Sequence, residues 1–166
     1  MNSLHPMSRT ALVTGSGRNI GRAIAVAIGE QGHNVVINGS EDRAACEAVA
    51  AEVEQAGGQA IVAMGDVGRR ESFDHLIQVA QDAFGSVDIL VNNAAIRPEK
   101  PFLDTTDADW HRVLDVDLNA VFYGCRAALP GMVNNNWGRI INLTGMNAIH
   151  GYSCSCLLYT SPSPRD

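Results

Sequence analysis

Short apolar strands alternate with amphipathic helices along the whole of this chain, and that alternation restricts the fold more than any other feature. The periodicity predicts strands over residues 10–13, 34–38, 60–64, 88–92 and 138–143. It predicts helices over residues 20–31, 41–56, 69–84 and 107–132, with Pro130 and Gly131 marking the end of the last one. Alternating strands and helices build right-handed βαβ units. We therefore expect an α/β fold, a doubly wound parallel sheet of the Rossmann type with strand order 3-2-1-4-5.

Composition narrows the class of protein. The chain has 166 residues, of which 46% are apolar and 18% charged, and its formal net charge is −6. The acidic balance argues against a general nucleic-acid binder, and no apolar run approaches the roughly 20 residues that a membrane span needs. The start of the chain lacks the apolar stretch of a signal peptide, and four scattered cysteines do not make a disulfide scaffold. We therefore predict a cytoplasmic protein.

The end of the chain differs from everything before it. Residues 156–166 read CLLYTSPSPRD, with no helical period and no strand alternation. One back-translation of this stretch resembles a transposase-type sequencing adapter. A complete doubly wound dinucleotide fold also has a sixth strand, which the pattern does not supply. We therefore predict a single dinucleotide-binding domain over residues 1–155, truncated after the fifth strand, followed by a non-native tail.

A glycine-rich turn joins the first strand to the first helix. Residues 14–21 read TGSGRNIG, immediately after an apolar strand and at the start of a helix. A pyrophosphate needs small residues here, because the backbone must turn tightly and approach it closely. The helix amino end then offers free N–H groups and the positive end of a dipole. Strand, turn and helix in this order favour a dinucleotide site over a purely structural turn.

This turn resembles the TGxxxGxG motif of the short-chain dehydrogenase/reductase family. Asn19 replaces the middle glycine, and asparagine tolerates positive φ better than other non-glycine residues. Further motifs resemble the family in order: Asp66-Val67 its adenine-contacting pair, Asn92-Asn93-Ala94-Ala95 its NNAG, and GRIIN at 138–142 its fifth strand. The resemblance spans about residues 9–151. It implies a cofactor site formed by Gly15, Ser16, Gly17, Arg18, Asn19, Ile20, Gly21, Ser40, Asp66, Val67, Asn93 and Ala94.

The residue at the end of the second strand usually decides between NAD(H) and NADP(H), because an acidic side chain there binds the ribose 2′-hydroxyl and repels a 2′-phosphate. This chain has Asn38-Gly39-Ser40 at that place, without a carboxylate. Arg18, Ser40 and the nearby Arg43 can instead bind a phosphate. The sequence favours NADP(H), although the neighbouring Glu41 and Asp42 argue mildly against it.

The catalytic residues that the resemblance implies are incomplete. The place of the family's helix asparagine holds Asp117, with Asn119 two residues on, and the place of its serine holds Gly145 beside Thr144. The tyrosine and lysine places fall on Leu158 and Pro162, and no Tyr-x-x-x-Lys occurs in the chain. Thr144 is either a substitute hydroxyl or simply the residue that finishes a strand. We predict no metal site, because Cys154 and Cys156 lack the partners that tetrahedral zinc requires.

Three functions stay open at this point. The first is an oxidoreductase that transfers hydride between a nicotinamide cofactor and a carbonyl or secondary alcohol, similar to 3-oxoacyl-carrier-protein reductases, with this chain inactive on its own. The second is a non-catalytic NADP(H)-binding or regulatory protein, suggested by Asp117 and Gly145. The third is a fragment that neither folds well nor binds. The resemblance also implies that the parent is a homodimer or homotetramer, with assembly impaired in this chain.

Overall fold

The computed structural model of the chain describes residues 8–145, and these form one twisted parallel sheet with helices on both faces. The strands are β1 (Thr10–Val13), β2 (Asn34–Gly39), β3 (Gln59–Met64), β4 (Ile89–Asn92) and β5 (Arg139–Asn142). All neighbouring strands pair in parallel, in the order β3-β2-β1-β4-β5. The predicted fold class and strand order are therefore confirmed. The predicted tail and the places 158 and 162 lie outside the described residues.

The helices follow the predicted pattern to within two residues at each end. They are α1 (Asn19–Gly29), α2 (Arg43–Gln55), α3 (Arg70–Phe84), α4 (Asp107–Leu114) and α5 (Ala120–Asn134). A single 3-10 turn at Phe102–Asp104 precedes α4. A π-helical turn at Asp115–Asn119 joins α4 to α5, so that the two form one continuous helical segment.

Two apolar layers hold these elements together, one on each face of the sheet. Alternate residues of β1 point to opposite faces: Leu12 packs with the core of α3 and α5, while Ala11 and Val13 pack with the core of α1 and α2. Every residue of β1 is buried. A strand covered on both faces is apolar throughout, which is why these segments are continuous apolar runs.

The prediction that Pro130 and Gly131 mark the end of the last helix is wrong, although the predicted bound at residue 132 lies only two residues from the observed one. Pro130 lies inside α5, which continues to Asn134. The final turn is retained because Met132, 5% exposed, packs into the core on the α3 side. The helix then closes at Asn136, whose φ is +51°, and the Trp137 amide donates to the Met132 carbonyl at 3.0 Å. The packing of Met132 thus outweighs the tendency of Pro130 to end a helix.

Candidate functional site

The turn after β1 reverses the chain in the way the glycine-rich motif predicts. Gly15 has φ +61° and Asn19 has φ +51°, so asparagine does adopt here the left-handed conformation expected of it. Ser16 is fully buried beneath the turn; its Oγ donates to the Val13 carbonyl at 2.8 Å and accepts the Asn38 amide at 3.0 Å. These bonds tie the turn to the end of β2.

Asn93 clips this turn to the segment that follows β4. Its Nδ2 donates to the carbonyls of Thr14 at 2.8 Å and Gly15 at 3.1 Å. The Thr14 hydroxyl accepts the amides of Asn93 and Ala94, both at 3.0 Å. A Cβ on Gly21 would stand 2.5 Å from both Asn93 Nδ2 and the Gly15 carbonyl, so position 21 admits only glycine without rearrangement. The structure therefore brings these predicted residues together at the carboxyl edge of the sheet.

The amino end of α1 opens onto the same edge. Its N-cap residue, Arg18, makes no side-chain capping bond, and the first turn contains no acidic residue. By contrast, Asp42 caps α2 by accepting the Ala45 amide at 2.9 Å. Arg18 and Ile20 are both exposed. Within the described part of the chain, the first N–H groups of α1 therefore have no side-chain acceptor, and helix ends of this kind bind anions well.

The end of β2 holds a structural residue that sequence reasoning missed. Asn38 is 1% exposed; its Oδ1 accepts the Gly15 amide at 3.3 Å, and its Nδ2 donates to the carbonyls of Ala63 and Gly65, each at 3.1 Å. An amide directly after the apolar run of residues 35–37 was the available signal. Asn38 therefore connects the ends of three strands, and Gly39 and the exposed Ser40 follow it at the carboxyl end of β2.

The predicted adenine pair lies just after β3, but the Asp66 carboxylate is already engaged. Arg112 on α4 donates to it at 2.8 and 3.1 Å, and the Gly68 amide donates at 3.0 Å. Burial alone would raise the pKa of Asp66, but these bonds outweigh it and lower that pKa. Val67 is 5% exposed. The Asp66 side chain therefore anchors the edge of β3 to α4.

Asp117 lies in the π-helical turn and holds the loop after β4. Its Oδ1 accepts the Ile96 amide at 2.9 Å. Burial raises the pKa of this carboxyl, and the Ile96 bond and the charge of Arg97 offset the rise only in part. Asn119 points elsewhere and donates to Asp115 at 2.9 Å. Hydrophobic periodicity could not show the π turn, a distortion that is frequent at functional sites.

The same loop is held at a second point. Lys100 pairs with Asp109 at 2.6 Å, and Asp109 also completes a capping box with Thr106 at the start of α4. The hydrogen bond from Lys100 contributes most to holding the pKa of Asp109 well below its usual range. The loop between β4 and α4 is therefore fixed at Ile96 and at Lys100.

The two candidate catalytic residues are not hydrogen-bonded to each other. Thr144 follows β5 and is exposed, and no hydrogen bond within residues 8–145 joins it to Asp117. Gly145, at the family's serine place, is exposed too. Among the same residues, no group of three or more potential metal-ligating side chains occurs, and no helix is long and apolar enough to span a bilayer.

Comparison with known proteins identifies the family to which this fold belongs. The profile of the family described as short chain dehydrogenase matches residues 9–161. The chain belongs to the short-chain dehydrogenase family. This membership implies a nicotinamide dinucleotide cofactor. The match extends into the segment predicted as a non-native tail, whose boundary at residue 156 stays a prediction.

Two curated relatives from bacteria have different stated activities. The 3-oxoacyl-[acyl-carrier-protein] reductase of Synechocystis sp. is 38% identical over 87% of this chain and 58% of its own length. The 3beta-hydroxysteroid dehydrogenase 1 of Eggerthella lenta is 39% identical over 85% of this chain and 54% of its own length. A crystal structure of a protein described as a short-chain alcohol dehydrogenase, from Sinorhizobium meliloti 1021, has a TM-score of 0.85 and 31% identity, covering 93% of this chain and 61% of that one. The chain thus spans somewhat more than half the length of these relatives.

Proposed function

We propose that this chain is the dinucleotide-binding part of an NADP(H)-dependent oxidoreductase that interconverts a carbonyl and a secondary alcohol. The observation that carries the proposal is the uncapped amino end of α1, joined to β1 by a turn with positive φ at Gly15 and Asn19. Asn93 and Ala94 hold that turn through Thr14, so the cradle is preorganised. The bound nicotinamide supplies or accepts the hydride; the residues described here bind and orient it.

The charges around the end of β2 favour NADP(H) over NAD(H). Gly39 ends the strand without a carboxylate, and the exposed Ser40 follows it in sequence. The exposed Arg18 lies in the turn after β1, at the same carboxyl edge of the sheet. Asp42, an acidic residue that argued against a phosphate, directs its carboxylate to the Ala45 amide of α2. Arg43 pairs with Glu47 at 3.5 Å across an exposed surface, where such a pair contributes little and can open for another anion.

Asp117 and Thr144 have separate roles in this proposal. Asp117 positions the β4–α4 loop through the Ile96 amide, and Thr144 supplies an exposed hydroxyl at the carboxyl end of β5. The tyrosine–lysine pair that the family uses does not occur in this sequence as Tyr-x-x-x-Lys. We therefore expect the 166-residue chain to bind cofactor without turnover.

The chain covers 58% and 54% of the lengths of the two curated relatives, so the substrate and the assembly of the whole enzyme are part of the proposal. The relatives' stated substrates differ, and the acyl-carrier-protein reductase of Synechocystis sp. supports a 3-oxoacyl thioester as the first substrate to try. Exposed apolar side chains follow one another along α4, the π-helical turn and α5, and they support a homodimer or homotetramer as the parent; they are Trp110, Leu118, Phe122, Leu129 and Val133. We expect assembly of the isolated chain to be impaired.

Fluorescence titration of the purified chain with NADPH and NADH tests this function. We expect saturable binding that is tighter for NADPH, and no NADPH oxidation with an acetoacetyl thioester. Arg18→Ala should weaken NADPH binding more than NADH binding, because it removes a cation from the phosphate site. Arg22→Ala is the matched control: Arg22 lies one turn along α1, where it pairs with Glu52 at 2.7 Å. Absence of saturable binding of either nucleotide would contradict the proposal.

A non-catalytic NADP(H)-binding protein is the second candidate. It is favoured by Asp117, whose carboxylate replaces the family's asparagine and is bound to the Ile96 amide, and by Gly145, which leaves the serine place without a hydroxyl. Ketone-dependent oxidation of NADPH by the complete gene product would exclude this candidate. Binding of NADPH by that product without any turnover would favour it.

A further inference from the structure

The Cys46 thiol lies between the glycine-rich turn and the end of β2, two segments that the cofactor proposal uses. Cys46 is on the first turn of α2 and is 1% exposed. A Cβ built on Gly17 would stand 3.1 Å from its Sγ, and a Cβ built on Gly39 would stand 2.6 Å from the same atom. One sulfur atom therefore fills the space that a side chain at either glycine would need.

Cys46 cannot easily withdraw from this position. The Asp42 cap starts α2, and the Cys46 amide donates to the Asp42 carbonyl at 3.3 Å, which fixes the backbone beneath the turn. The side chain belongs to the apolar cluster that includes Val13, Ile37 and Val49. Burial is the main cause of a raised pKa for this thiol, so it is neutral near pH 7 and packs as a small apolar group. Interiors are close-packed, and a displaced sulfur would have to push other core atoms aside.

The end of β2 is where an acidic side chain selects NAD(H), by accepting a hydrogen bond from the ribose 2′-hydroxyl. Gly39 is the last residue of β2 and pairs with Met64 in register. An aspartate at position 39 would bring its Cβ against Cys46 Sγ at 2.6 Å, a separation that real Cβ atoms essentially never show. Cys46, seven positions further along the chain, thus limits which side chains can occupy the last position of β2.

We propose that Gly39 and Cys46 form a paired determinant of cofactor choice, in which the buried thiol keeps the end of β2 free of a side chain and leaves room for a ribose 2′-phosphate. The inference rests on the proposed function, because it concerns the adenosine end of the same dinucleotide site. It adds that Cys46, which is buried behind the end of β2, is a positioning residue for specificity.

Four variants of the 166-residue chain test the pair: Gly39→Asp, Cys46→Ala, the two combined, and Gly39→Asp combined with Cys125→Ala. Cys125 is the control, since it is also a free cysteine but is only half-buried and lies on α5, away from Gly39. Melting temperature and the dissociation constants for NADPH and NADH are measured for each variant and for the wild type.

Gly39→Asp alone should melt at a lower temperature and bind both nucleotides poorly. Adding Cys46→Ala should restore the melting temperature and shift the preference toward NADH by roughly ten- to a hundred-fold, the range expected for one hydrogen bond to a charged group. Adding Cys125→Ala should restore neither property. If Gly39→Asp does not fold in either background, Gly39→Ala is compared in the same two backgrounds by melting temperature.

Two results would overturn the inference while leaving the proposed function intact. One is a Gly39→Asp variant that already prefers NADH and melts like the wild type. The other is a Cys46→Ala substitution that rescues neither Gly39→Asp nor, where that variant does not fold, Gly39→Ala. A wild-type chain that binds neither nucleotide would refute the proposed function, and the cofactor inference with it.

Discussion

Alanine substitutions at Gly124 and Gly131 should differ in their effect on the stability of this chain, although both glycines lie within α5. A Cβ on Gly124 would stand 2.8 Å from Cε1 of Phe73 and 3.0 Å from Oδ1 of Asn92. A Cβ on Gly131 would meet nothing within 4 Å. Phe73 is 1% exposed in the core on that face of the sheet, so its ring has no solvent into which it can move.

The magnitude follows from two terms, only one of which differs between the sites. Replacing glycine by alanine inside a helix stabilises by about 0.5–1 kcal/mol, and this term is common to both variants. Overpacking a filled core costs about 1–3 kcal/mol, and this term applies only to Gly124. Gly131→Ala should therefore be more stable than the wild type, and Gly124→Ala less stable than Gly131→Ala by about 1–3 kcal/mol, the overpacking term itself.

Urea denaturation followed by far-ultraviolet circular dichroism measures this difference, with all three proteins compared at one temperature and pH. The unfolding slope should stay the same, since neither substitution alters the surface exposed on unfolding. Equal free energies of unfolding for the two variants would refute the packing argument, and so would a Gly124→Ala variant more stable than Gly131→Ala.

Three further substitutions test the site. Because the folded-state pKa of Asp117 is raised, wild-type stability falls as pH rises through the range between its ordinary and raised pKa; Asp117→Asn should remove that fall in pH-dependent urea melts. The pKa of Asp109 is lowered, so Asp109→Asn should destabilise at neutral pH, and the difference should disappear in strong acid. Asn93→Ala leaves the carbonyls of Thr14 and Gly15 without their side-chain donor, so it should lower the free energy of unfolding by about 1–3 kcal/mol and weaken NADPH binding. An unchanged melting temperature together with unchanged binding would contradict the role of Asn93 in holding the turn.

Much of this architecture is encoded locally and could be predicted from the sequence. Strand order, helix positions and the parallel sheet follow from apolar periodicity and the handedness of βαβ units, which need no knowledge of distant contacts. The conformation of Asn19 was equally accessible, because residue type alone limits which side chains tolerate positive φ. The edge where Gly15 and Asn93 meet follows as well, since the carboxyl ends of parallel strands share one side of the sheet.

Tertiary structure alone decided what the site residues contact. Asp66 and Arg112 are 46 positions apart, and Asp117 and Ile96 are 21 apart, so nothing in local pattern could pair them. Gly39 and Cys46 are close in the chain, yet only the packing of α2 under β2 shows that one sulfur fills the space of a side chain. Periodicity records which face of an element is buried. The atoms that meet across that face are set by how the elements pack, because close packing makes each contact depend on the shape of every neighbour.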